Sequence, residues 1–116
     1  MIYSRFSGLP KIVRNFCTNY DAYIVGGCAN YLCGDVVSYR DIDILVPLSH
    51  WPKAQKLIPR GAKHNTYGGS KIISRGVEID VWADELSNFL YNMTDNNFKI
   101  VHPRTKSIIL VEQKLT

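Results

Sequence analysis

The sequence predicts a single α+β domain, and three observations carry that prediction. The chain has 116 residues, enough for one hydrophobic core and little more. Segments whose apolar residues recur at helical spacing are interspersed with short runs of strand character. The stretch from Tyr23 to Pro47, YIVGGCANYLCGDVVSYRDIDILVP, joins two apolar strand-like runs through paired glycines, a helix-sized segment and a loop. Hydrophobic residues make up 46% and charged residues 21%, which places the chain with ordinary globular domains rather than disordered or fibrous ones.

Taken in order, residues from about Ser7 to Asn19 read as a packing helix. Ile12, Val13, Phe16 and Tyr20 form its apolar stripe, with Lys11 and Arg14 off it. Ser7 is the expected cap, and Pro10 is tolerable only near the first turn. A strand from Ala22 to Val25 leads to the Gly26-Gly27 turn, and a helix from Cys28 to Cys33 closes on Gly34. The loop Asp35 to Arg40 enters a second strand, Asp41 to Val46, which Pro47 ends. Ser49 is the expected cap of a helix reaching Leu57 or Ile58, with Pro52 in its first turn, Lys53 and Lys56 exposed, and Pro59 and Gly61 beyond it. Three short strands follow, His64 to Tyr67, Lys71 to Ser74 and Val77 to Trp82. They turn at Gly68-Gly69 and Arg75-Gly76, the second turn making KIISRGVEIDVW a β-hairpin. Asp84 is placed to cap a helix from Glu85 to Met93 with Leu86, Phe89 and Leu90 inward. Strands from Lys99 to His102 and Ser107 to Glu112 complete the chain.

Charge and cysteine usage bound the function. The formal charge is +4; without Asp41, Asp43 and Asp80 there remain 14 basic residues against 7 acidic, or +7. A basic surface around a small acidic cluster suits a partner that brings both phosphates and metal. Cys17, Cys28 and Cys33 are an odd number without paired spacing, which points to reduced thiols in a cytoplasmic protein. His50, His64 and His102 pair with no cysteine at zinc-ligand spacing. The polar start MIYSRFSGLPKIVRN does not resemble a signal peptide, and no apolar run reaches membrane-spanning length. No membrane role is therefore expected.

The candidate chemistry lies in three carboxylates. Side chains two apart on a strand share a face, so Asp41 and Asp43 stand together while Ile42 and Ile44 point the other way. Two carboxylates so placed repel unless a cation lies between them, and Mg2+ (or Mn2+) is the simplest, a hard ion that arrives with a substrate's phosphates. Gly26 and Gly27 let the backbone approach a phosphate closely. The run VEIDVW puts Val77, Ile79 and Val81 on one face and Glu78, Asp80 and Trp82 on the other. If that strand lies beside Asp41 and Asp43, Asp80 supplies the third carboxylate that a two-ion phosphoryl-transfer site needs. Asp41 and Asp43 then hold both ions and a nucleoside triphosphate, and Asp80 holds the ion that activates the attacking hydroxyl and can take its proton. Arg40 and Lys71 are the candidate phosphate contacts, and Asn30 is placed to reach the triphosphate or ribose. Tyr67 or Trp82 can stack a base or fill the core.

These residues resemble the polymerase-β-type nucleotidyltransferase superfamily, and within it the head domain of CCA-adding enzymes and bacterial poly(A) polymerases. Val25, Gly26, Gly27, Leu32, Gly34, Asp41, Ile42, Asp43 and Ile44 match its Gly-Gly and Asp-x-Asp elements. Ile79, Asp80 and Val81 match the third, and the likeness runs from about Tyr23 to Trp82. Where CCA-adding enzymes usually carry Arg-Asp after the glycines, this chain has Asn30-Tyr31. The resemblance implies a minimal nucleotidyltransferase fold, a mixed sheet flanked by helices, over residues 1–116 as one stand-alone domain. It also implies Mg2+-dependent transfer of a nucleoside monophosphate, from ATP or another triphosphate, to a hydroxyl of RNA, protein or a small molecule, releasing pyrophosphate. The alternatives are a catalytically silent binding module of the same fold (an antitoxin, or an RNA or partner-protein binder) and a plain α/β domain with a coincidental Asp pair. So small a domain has little surface to enclose both substrates, so a homo-oligomer or a macromolecular acceptor is expected to complete the site.

Overall fold

The structure is a computed structural model that describes residues 2–32, 34–85, 98–101 and 108–111. Seven strands form one sheet: β1 (Tyr23–Val25), β2 (Asp41–Pro47), β3 (Lys63–His64), β4 (Ser70–Ser74), β5 (Val77–Asp84), β6 (Phe98–Val101) and β7 (Ile108–Val111). Their order is β3-β4-β5-β2-β1-β6-β7. Only β2 and β5 pair in parallel; the other neighbours are antiparallel, so the sheet is mixed. The described helices are α1 (Ile2–Ser7), α2 (Lys11–Tyr20), α3 (Gly26–Leu32) and the single turn α4 (Trp51–Ala54). None is long and apolar enough to cross a membrane.

The core lies on one face of the sheet. Ile24, Ile42, Ile44, Val46, Ile72, Ile79 and Val81 meet Val13, Phe16 and Cys17 of α2 and Cys28, Ala29 and Leu32 of α3 in one buried cluster. Each fully buried Ile or Val contributes on the order of 1.5–3 kcal/mol relative to exposure, so this face holds β2 and β5 against the helices. The Arg75-Gly76 turn has φ of 50° and 80°, the left-handed pair whose twist matches a two-residue hairpin. At the end of α3, Gly34 (φ 86°) donates to Tyr31 O at 3.0 Å and Asp35 donates to Asn30 O at 3.0 Å. That double closure is the expected glycine C-cap.

Four expected elements differ. The helix expected from Cys28 already begins at Gly26, so Gly26 and Gly27 form its first turn and not a separate one. The helix from Ser7 is two helices broken at residues 8–10. Pro10 disfavours helical backbone at Leu9 and has no N–H to donate, so α2 starts at Lys11 and the Ser7 hydroxyl bonds back to Ser4 O at 2.8 Å. The helix from Ser49 is a 3-10 turn (Leu48–His50), α4 and a second 3-10 turn (Gln55–Leu57), and no side chain caps it. Pro52 removes a donor from its first turn, and Pro59 follows soon after. The strand from His64 ends at that residue, because Asn65 Oδ1 accepts from the N–H groups of Tyr67 and Gly69 and curls the backbone into a turn. Glu85 N–H donates to Asp84 Oδ1 at 2.8 Å; the expected helix beyond it, with Leu86, Phe89 and Leu90, lies outside the described residues, as does Cys33.

Candidate active site

The parallel pairing of β2 with β5 assembles the site. It sets Asp41 beside Glu78, Asp43 beside Asp80 and Leu45 beside Trp82, all on the face opposite the helices. On β4, Lys71 is the cross-strand partner of Asp80. Carboxylate oxygens of Asp41, Glu78 and Asp80 come within 4.8 Å of one another, a spacing that can hold a metal ion. Glu78 was the residue that sequence reasoning left out of the ligand set, although the alternation of VEIDVW had placed it on the acidic face. Asp43 stands beside Asp41, Glu78 and Asp80 on the same face, and its Oδ2 lies 3.0 Å from where a Cβ on Gly26 would stand. Gly26 has φ of +73°, so the left-handed backbone and the neighbouring carboxylate both favour glycine there.

Burial and the neighbouring carboxylates raise the proton affinity of Asp43 and Asp80. Burial, then the charges of Asp41, Asp80 and Glu78, push Asp43 up from 3.8 to about 6. Asp80 is also raised, first by burial and then by Glu78, while Asn65 and Lys71 pull it down. Asp80 is only 6% exposed, and its Oδ1 is buried with no hydrogen-bond partner among the described residues. An orphaned buried carboxylate oxygen among hard oxygen donors is the environment that a divalent cation satisfies. The Lys71 Nζ to Glu78 Oε1 contact of 3.5 Å joins side chains that are 38% and 39% exposed, so it neutralises the cluster only weakly. Cys28, two residues into α3 from Gly26, is pushed up to about 12 by burial and by Asp43 and Asp41. It is a protonated, inert thiol rather than a nucleophile.

Two open cavities meet at Asp41. One, of about 440 Å³, has the four carboxylates and Lys71 along its base and residues 64–67 as a wall. The other, of about 630 Å³, is lined by Gly27, Asn30, Ser38 and Arg40. Among the described residues, nothing beyond its own helix lies within 4 Å of where a Cβ on Gly27 would stand, which leaves that stretch of backbone open to the second cavity. Of the phosphate-contact candidates, Gly27, Asn30 and Arg40 are thus gathered on one side of Asp41 and Lys71 lies on the other.

This architecture recurs in solved structures. A CCA-adding enzyme in complex with CTP superposes over 95% of this chain and 31% of its own, with a TM-score of 0.59 and 19% identity. The Thermotoga maritima CCA-adding enzyme complexed with tRNA superposes over 96% of this chain and 32% of its own, with a TM-score of 0.56 and 22% identity. The fold is nucleotidyltransferase-type. The chain spans about a third of the length of these two structures. No family model matches the sequence, and no curated protein matches it either. Within this nucleotidyltransferase-type fold, the sheet face that bears Asp41, Glu78 and Asp80 borders an open cavity among the described residues, while the opposite face packs against α2 and α3.

Proposed function

We propose that this chain is a Mg2+-dependent nucleotidyltransferase that moves a nucleoside monophosphate from a nucleoside triphosphate to a hydroxyl. The observation that carries the reading is the β2–β5 register, which lines up Asp41 and Asp43 with Glu78 and Asp80 at the base of an open cavity. The two structural neighbours were captured with CTP and with tRNA, which supports a nucleotide and RNA as partners here.

In this reading Asp41, Asp43 and Asp80, with Glu78 beside them, hold one or two Mg2+ ions. When bound, the ions neutralise charge on the phosphates and lower the pKa of the acceptor hydroxyl. Gly27, Asn30 and Arg40 hold the triphosphate in the second cavity with Gly26 next to them in the chain, and Lys71 offers a positive charge from the carboxylate side. Asp80 takes the hydroxyl proton. The hydroxyl oxygen then bonds to the α-phosphorus as the bond to pyrophosphate breaks, and pyrophosphate leaves with the displaced electron pair. The protein's own contribution is to hold the two reactants in line and to place fixed charge where charge develops.

The test uses each α-32P nucleoside triphosphate with Mg2+ or Mn2+, with total cell RNA and, separately, with extract protein. Label transferred by the wild type and not by the Asp41→Asn/Asp43→Asn double variant establishes the activity and names the acceptor class. Metal-dependent nucleotide binding without any transfer would make the chain a binding module of the same fold. Neither binding nor transfer would reduce the Asp pair to structure.

A further inference from the structure

The turn at residues 65–69 carries an aromatic ring that core packing does not account for. Tyr67 is 56% exposed, yet the turn that presents it is fastened to the sheet. Asn65 Oδ1 accepts from Tyr67 N–H at 3.0 Å and Gly69 N–H at 2.9 Å. Its Nδ2 donates to Ser70 O at 2.9 Å and to Val81 O on β5 at 3.3 Å. Gly69 lies so close to β5 that a Cβ there would fall 1.9 Å from Val81 O and 2.7 Å from Trp82 Cα. Only glycine allows the turn to sit this low. Its effect is to lay the Tyr67 ring over Trp82, with centroids 4.6 Å apart and planes 29° apart, while Trp82 itself is 6% exposed.

One face of the tyrosine ring is therefore covered by Trp82, and the ring stands in the wall of the cavity that holds Asp41, Asp43, Glu78 and Asp80. The ring is near enough to the site that Asp43, Asp80 and Asp41, after burial, raise the pKa of its hydroxyl. A rigid, half-covered aromatic on the wall of a phosphate- and metal-binding cavity matches what a planar base needs. Stacking asks only for an apolar face held at a set angle, and it tolerates any base.

Building on the nucleotidyltransferase reading, we propose that Tyr67, backed by Trp82 and held by Asn65 and Gly69, is a stacking platform for a nucleobase at the carboxylate site. The base comes either from the incoming nucleoside triphosphate or from the terminal nucleotide of an oligonucleotide acceptor. Tyr67 positions the reacting nucleotide and takes no part in bond making.

The experiment uses the full chain with Mg2+ and 2-aminopurine, whose fluorescence is quenched by stacking. One arm uses 2-aminopurine riboside triphosphate, and the other a short single-stranded RNA ending in 2-aminopurine. Calorimetry measures affinity in parallel for the wild type, Tyr67→Phe and Tyr67→Leu. The expected result is quenching in the wild type and in Tyr67→Phe, with Tyr67→Leu losing the quench and binding about tenfold more weakly. The arm that shows it names the source of the base. Binding with the same quench and affinity in Tyr67→Leu overturns the platform and leaves the nucleotidyltransferase reading standing. No Mg2+-dependent binding in either arm overturns both. Should Tyr67→Leu lose its circular dichroism, NMR of the wild type decides: upfield shifts of the Tyr67 ring protons on adding the ligand support stacking, and unmoved protons refute it.

Discussion

On the helix-covered face of the sheet, Ile42, Ile44, Ile79 and Val81 are fully buried. One residue out of step, the same two strands present Asp41, Asp43, Glu78 and Asp80 to an open cavity on the other face. The two faces divide the work of the domain. Apolar burial on the first supplies the free energy that holds β2 and β5 in register. The second spends part of it, because like charges on neighbouring strands repel and Asp80 keeps a buried oxygen without a hydrogen-bond partner among the described residues. Farther along, the acidic face turns apolar where Leu45 pairs with Trp82, and both are buried. The electrostatic strain is thus confined to the start of the two strands. A divalent cation bound among these carboxylates would offset that cost.

The sharpest way to break this division is to treat each face separately. Asp41→Asn with Asp43→Asn is expected to reduce nucleotidyl transfer by roughly a thousandfold or more, while urea unfolding shows stability unchanged or higher. A marked loss of stability would mean that these carboxylates hold the fold. On the opposite face, Ile44→Ala, at a fully buried position, is expected to cost about 2–5 kcal/mol in the same unfolding assay. Its remaining folded fraction should bind nucleotide as the wild type does.

Metal should repay the strain. Mg2+ at about a hundred times its dissociation constant is expected to stabilise the protein by about 2.7 kcal/mol. The thermal shift should vanish with EDTA and be absent in the double variant. Persistence of the shift in that variant would place the ion elsewhere.

The pH dependence follows from Asp43, raised from 3.8 to about 6. Between those values the folded chain holds a proton that the unfolded chain releases, so this group's contribution to stability falls as pH rises from about 4 to about 6, then levels off. Partial solvation limits the loss to about 1–2 kcal/mol. Asp43→Asn should flatten that segment of the metal-free stability profile, and an unaltered slope would assign the titration to another carboxylate. The smallest effect is expected at Lys71. Because its contact with Glu78 is well exposed, Lys71→Met should change unfolding free energy by under about 1 kcal/mol, even as it removes a charge from the cavity.

Local spacing made much of this legible. The alternation in DIDILVP and VEIDVW assigned each carboxylate to a face, and Arg75-Gly76 marked the hairpin, because side-chain direction and turn geometry are properties of a few adjacent residues. The tail strands emerge within a residue of expectation, at Phe98–Val101 and Ile108–Val111. Readings failed where two local preferences competed. Asn65 captured backbone donors that a strand would have used, and Pro10 outweighed the helical spacing that began at Ser7.

By itself, then, the sequence determined the fold class, the two faces of each strand and the placement of Asp41 and Asp43 side by side on the strand after Gly26 and Gly27. Tertiary structure decided which strands adjoin. The β2–β5 register grouped Glu78 with Asp41, Asp43 and Asp80 and set the Asp43 carboxylate close to Gly26. The 65–69 turn likewise laid Tyr67 over Trp82. Those decisions rest on contacts between residues far apart in the chain, whose relative register is set by how the helix-covered core packs and not by any spacing within one segment.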